Sequence, residues 1–172
     1  MTAGLFAKHG VFFGECVPPA PMNPKGFFEN EWLRRVYNGQ VECSDFDKAW
    51  KHRLRSEGYS GGVWGAKCGA ERWGQYWQSV PDIAAIVLLY RPEADIEKSR
   101  ERIGWVEGRR SVQFNWGIMN ALHETKLPTF AVNTPNLVDG DYSEIIPAFD
   151  ALGIRFDPSI SHKWIDENLF HK

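Results

Sequence analysis

Apolar and polar positions along this chain alternate between short unbroken runs and helical stripes. Residues 84–90 are apolar throughout and lie between Pro81 and Pro92, a stretch too short for an ordinary helix. Such a run between breakers predicts a strand buried on both faces of a parallel sheet. Residues 127–133 predict a further strand ending at Asn133. Residues 62–67 predict one more, entered through a glycine turn at Gly61 and Gly62. Between the runs the spacing turns helical. A helix over 2–9 ends at Gly10, and one over 29–37 closes at Asn38 and Gly39. Ser44 can cap a helix to about 55, stopped by Glu57 and Gly58. A short helix over 71–78 sets Trp73 and Trp77 on one side.

Pro92 opens the next helix, with Ile96, Ser99, Ile103 and Val106 on one stripe. Phe114, Ile118 and Leu122 line a mostly buried helix over 112–125, with Trp116 and Met119 beside them. Asp141 and Glu144 have capping-box spacing for a helix reaching 152, where Gly153 ends it. Asp157 and Pro158 begin a turn, and an amphipathic element covers 162–170. Four prolines make 17–24 a loop. Strands alternating with helices over 172 residues predict one α/β domain, 1–172, built on a parallel sheet.

Composition narrows the function classes. Hydrophobic residues make up 43% of the chain, enough for a core. A net charge of −2 argues against a general nucleic-acid surface. No run approaches the roughly 18 apolar residues of a membrane helix. Cys16, Cys43 and Cys68 are odd in number and widely spaced. Neither a zinc site nor a disulfide framework is indicated, and a reducing cytoplasm is the simplest setting. Eight tryptophans are many; some must be core, and flat rings also suit sugars and other ring-bearing ligands.

Arg91 stands where the run 84–90 ends, at the sheet edge where α/β proteins bind ligands. Ser99 follows eight residues later on the next helix, so a guanidinium and a hydroxyl can converge on one phosphate. Their bland alternatives are an ion pair with Asp95 or Glu97 and a serine bonded to its own helix. The Arg91–Ser99 pattern resembles the 3′-phosphate-binding element of sulfotransferases that use 3′-phosphoadenosine 5′-phosphosulfate (PAPS). Gly10-Val-Phe-Phe-Gly14 and Asn23-Pro-Lys-Gly-Phe-Phe-Glu-Asn30 resemble the region after the first helix in bacterial and phage sulfotransferase-like proteins. The resemblance implies a three-layer P-loop-type parallel sheet flanked by helices. It implies PAPS as co-substrate and a carbohydrate or small-molecule acceptor, with no metal.

That family opens with a strand and a loop resembling Gly-x-x-Arg-Ser-Gly-Thr-Ser. This chain opens at the helix that would follow, so an N-terminally truncated form, or an internal methionine taken as the start, is expected. Residues 61–68 are glycine-rich and end Gly65-Ala-Lys67-Cys68, which departs from the phosphate-loop pattern. Lys67 ends the predicted strand 62–67 at the edge suited to donor contacts. The cytosolic members place a histidine two residues after a lysine near this point, where Gly69 stands here. Glu29 is the candidate base, although the comparable glutamate in carbohydrate sulfotransferases precedes a Phe-Phe pair that Glu29 follows. Lys25 shares its motif. A helix-start carboxylate for Glu29 and a solvated strand end for Lys67 are the plain alternatives.

Arg109 and Arg110 fit a solvated turn. The five histidines form no metal-binding pattern, and no serine lies in a Gly-x-Ser-x-Gly context. A nucleotide kinase of the same fold would want a Walker lysine and a magnesium-binding aspartate, and neither is found. The remaining class is a non-catalytic binding or assembly protein whose sheet pairs with another chain, a homo-oligomer included.

Overall fold

The computed structural model describes residues 1–21, 23–69, 72–102, 122 and 124–165. The chain divides into two compact units, Met1–Ile83 and Ala84–Lys172. The predicted elements at 103–121, Arg109 and Arg110 among them, and the end of the chain beyond 165 lie outside the described residues.

The first unit is helical with an aromatic core. Helix α1 covers Thr2–Lys8, α2 Glu31–Tyr37 and α3 Phe46–Ser56. Asn30 caps α2 by accepting from the Trp32 and Leu33 amides. Asp45, rather than Ser44, caps α3 by accepting from Lys48 N. A carboxylate is the better charge for a helix start. Leu33 and Val36 of α2 meet Phe46, Trp50 and Leu54 of α3, spaced to share one helix face. The 71–78 segment forms a π-helical turn, Trp73–Trp77, instead of an α-helix. It still turns both indoles to the core, Trp77 buried and Trp73 packed against it. Trp50 meets Trp64 and Trp77 edge-on with centroids 5.8 Å away in each case, while Trp64 stacks on Trp77 at 6.1 Å. Trp32 stacks on Trp50 at 6.0 Å. Five of the eight tryptophans therefore serve this one core.

The predicted strand at 62–67 is an extended segment joined to Phe12 at one point, the parallel bridge Phe12–Trp64. Phe12 N donates to Val63 O and Gly65 N to Phe12 O, each at 2.9 Å. Two residues beyond Phe12, Gly14 has φ +70°, a left-handed conformation outside the strand region.

The second unit is mixed α/β. Strand β1, Ile86–Tyr90, pairs in parallel with β2, Thr129–Asn133, in the register Leu88 to Ala131 and Tyr90 to Asn133. Helix α4, Glu93–Arg102, follows β1 directly. Three short helices, Thr134–Val138, Ile146–Ala151 and Pro158–Trp164, complete the unit's described part. Its core gathers Val132, Leu137, Ile145 and Phe149. Among the described residues the sheet has two strands. Burial of β1 on both faces, expected from its unbroken apolar run, does not occur: Leu89 is 47% and Tyr90 49% exposed. Asp157 caps the Pro158–Trp164 helix, so the predicted turn is a helix start.

Candidate functional site

In the second unit, the carboxyl edge of the parallel pair collects the groups that could meet a ligand. Arg91 follows β1 at that edge, and Pro92 separates it from α4. Ser99 lies on α4, as its spacing predicts, while its side chain lies outside the described atoms. Tyr90 and Asn133 end the two strands side by side. Glu144 does not close a capping box with Asp141, which instead accepts from Ser143 N at 2.9 Å. The Glu144 carboxylate reaches the strand ends, taking Asn133 N at 2.6 Å and the Tyr90 hydroxyl at 3.2 Å. Partial burial first, and this carboxylate second, raise the Tyr90 phenol above its ordinary pKa. Thr134 Oγ1 donates to Tyr90 O at 3.3 Å. The Asn133 Oδ1 is buried without a hydrogen-bond partner among the described residues.

The other candidates fall in the first unit. Lys67 Nζ donates to Glu29 Oε1 at 2.9 Å and to Phe27 O at 3.1 Å, so two residues 38 apart in sequence form one ion pair. Both side chains are partly exposed, and such a pair contributes about 0–1 kcal/mol. An incoming acceptor could part it at small cost. Phe28, at φ +52°, is a bulky residue in the left-handed region. Its turn lets the Phe27 carbonyl and the Glu29 carboxylate face the same ammonium. Lys25 belongs to this neighbourhood as well: burial, then Lys67, then Lys25 lower the Met1 amino group to about 6. The structure pairs Glu29 with Lys67 and keeps Lys25 in the same unit, while Arg91 and Ser99 belong to the other unit.

The two motifs of the first unit are held by a buried carboxylate. Asn30 is 2% exposed, and its Nδ2 donates to Phe13 O at 3.2 Å and to Glu57 Oε2 at 2.8 Å. Glu57 Oε2 also accepts from Glu15 N at 2.8 Å, and Arg53 Nε lies against Oε1. Cys16 and Asn30 form an antiparallel bridge, with Val17 N on Glu29 O. Cβ at Gly14 would lie 1.9 Å from Glu57 Oε2. Sequence alone presents Glu57 only as a helix stop. Its separation from Asn30 and Gly14 along the chain hides the contact.

Among the described residues no group of three or more metal-ligating side chains occurs. None of their helices is long and apolar enough to cross a membrane. The chain matches no protein-family model, no curated protein and no solved structure.

Proposed function

We propose that this chain is a sulfotransferase-like protein of the three-layer P-loop type that binds PAPS, with Arg91 and Ser99 gripping the nucleotide's 3′-phosphate. The observation that supports it is the placement of Arg91. It follows β1 at the carboxyl edge of a parallel pair, with Pro92 and then a helix that carries Ser99. Anions bind α/β folds at this edge. In the reaction the S–O bond to the 5′-phosphate breaks, and a new S–O bond forms to an acceptor hydroxyl or a new S–N bond to an acceptor amine. A base takes the acceptor's proton, and adenosine 3′,5′-bisphosphate leaves. Such transfer is mostly placement and electrostatics. The candidate base Glu29 and the cations Lys67 and Lys25 belong to the first unit and are offered as groups for the acceptor, separately from the nucleotide grip in the second. No metal is required.

Titration with adenosine 3′,5′-bisphosphate tests the nucleotide site. Arg91→Ala should weaken binding by roughly 1.5–3 kcal/mol, the worth of a charge-assisted contact, and Ser99→Ala by about 1 kcal/mol. Equal binding by both variants and the unaltered chain, with circular dichroism unchanged, would overturn the assignment.

A second reading, a non-catalytic assembly protein whose sheet pairs with another chain, draws on one observation. Leu89 and Tyr90 are half exposed at the end of β1, on a sheet of two strands among the described residues.

A further inference from the structure

A cleft of about 350 Å³ opens in the first unit, and none of Lys25, Glu29 and Lys67 lines it. Buried Leu54 forms part of its wall, with the rings of Tyr59 and Trp64 beside it. Both rings are held before any ligand arrives. The Tyr59 hydroxyl donates to Gly62 O at 2.6 Å, and its ring lies 5.6 Å from that of Phe12. Trp64 is stacked on Trp77 and buttressed by the edge of Trp50. Gly62 adds no side chain, and a Cβ there would meet nothing within 4 Å, so this side of the cleft stays open.

The polar groups at the rim are mixed in sign. Lys51 Nζ is shared between Asp47 at 3.0 Å and Asp82 at 2.6 Å. Arg55 lines the cleft with no ion-pair partner among the described residues. Two cations thus stand beside two carboxylates, and their charges offset one another. The sum is zero only with Asp47, which lies behind Lys51 and outside the lining, so the rim carries at most one positive charge in excess. What the cleft offers is two aromatic rings held in place, the guanidinium of Arg55 and the Asp82 carboxylate that Lys51 shares. A polyhydroxylated ring has the complementary surface, apolar C–H faces for the rings and alternating hydroxyls for the rim.

We propose that the cleft between Arg55, Tyr59, Trp64 and Asp82 is a binding site for a neutral sugar, of mono- or disaccharide size. The volume lies at the small end of ligand pockets and sets that limit. The site is independent of sulfuryl transfer and stands whether or not the chain binds a nucleotide.

The test is a titration of the full chain, without nucleotide, by N-acetylglucosamine, maltose, cellobiose and lactose. Heat and amide chemical shifts are the readouts, and phenyl sulfate serves as the ring-bearing anion for comparison. At least one sugar should saturate the protein, with shifts centred on Arg55, Tyr59, Gly62 and Asp82. Arg55→Ala and Asp82→Asn each change a rim side chain and leave the aromatic core in place. Each should weaken sugar binding by about tenfold or more while the circular dichroism spectrum holds. The proposal is overturned if none of the four sugars saturates, if the shifts fall elsewhere, if phenyl sulfate binds more tightly than every sugar, or if both variants bind as well as the unaltered chain. Because nucleotide is absent, a negative result here leaves the bisphosphate titration standing, and the reverse holds too.

Discussion

Asn30 uses its whole side chain. Its oxygen caps α2 and its nitrogen bonds a carbonyl and the buried Glu57 carboxylate, 1% exposed. Removing it strips a helix cap and leaves a buried charge short of one donor. Asn30→Ala should therefore cost about 2–4 kcal/mol in urea unfolding, the sum of a lost cap and an unsatisfied buried group. Gly14→Ala should cost at least as much, because its methyl would occupy the place of Glu57 Oε2 and φ +70° disfavours any Cβ. Unfolding curves that coincide with the unaltered chain within about 0.5 kcal/mol would remove this knot from the account. The glycine and the asparagine were both visible in the sequence as parts of motifs. What holds them, a glutamate beyond the end of α3, could not be read, since a helix stop and a buried carboxylate look alike in one dimension.

Elements were legible where a run of one character has only one outcome. Apolar runs between prolines gave β1 and β2, and Gly10, Gly39, Gly58 and Gly153 mark helix ends where their positive φ values fall. The misreadings share a cause: local pattern does not count neighbours. An all-apolar strand is expected inside a wide sheet, but β1 has a single described partner, so its last two residues stay open. Likewise 62–67 has strand composition and finds only Phe12 to pair with. Glu144 has capping spacing, yet an amide and a phenol at the strand ends compete for it more effectively than Asp141 does. The open end of β1 makes the assembly reading testable. If copies pair through this sheet, light scattering should give a mass above that of one chain. Leu89→Lys, placing a charge on the exposed apolar patch, should return it to a single chain without loss of helix signal. A single-chain mass for the unaltered protein across the accessible concentration range would discard that reading.

At the scale of the molecule, contacts divide the chain into two compact units, Met1–Ile83 and Ala84–Lys172, and each has buried apolar residues. The first has the fuller described core, with α2, α3, the π-helical turn and the Trp64 segment closing around Trp50. Residues 1–83 should accordingly fold when expressed alone, with a cooperative thermal transition and a near-ultraviolet dichroism spectrum retained from the full chain. A fragment that melts without cooperativity would show that the first unit needs the second.

Trp50, Trp64 and Trp77 lie close enough for their electronic transitions to mix, so light absorbed by one indole is shared among them. Trp64 is also a wall of the cleft. Anything that settles against its outer face perturbs an excitation spread through the interior, and the first unit carries an unlabelled optical gauge that registers occupancy and packing in the same band.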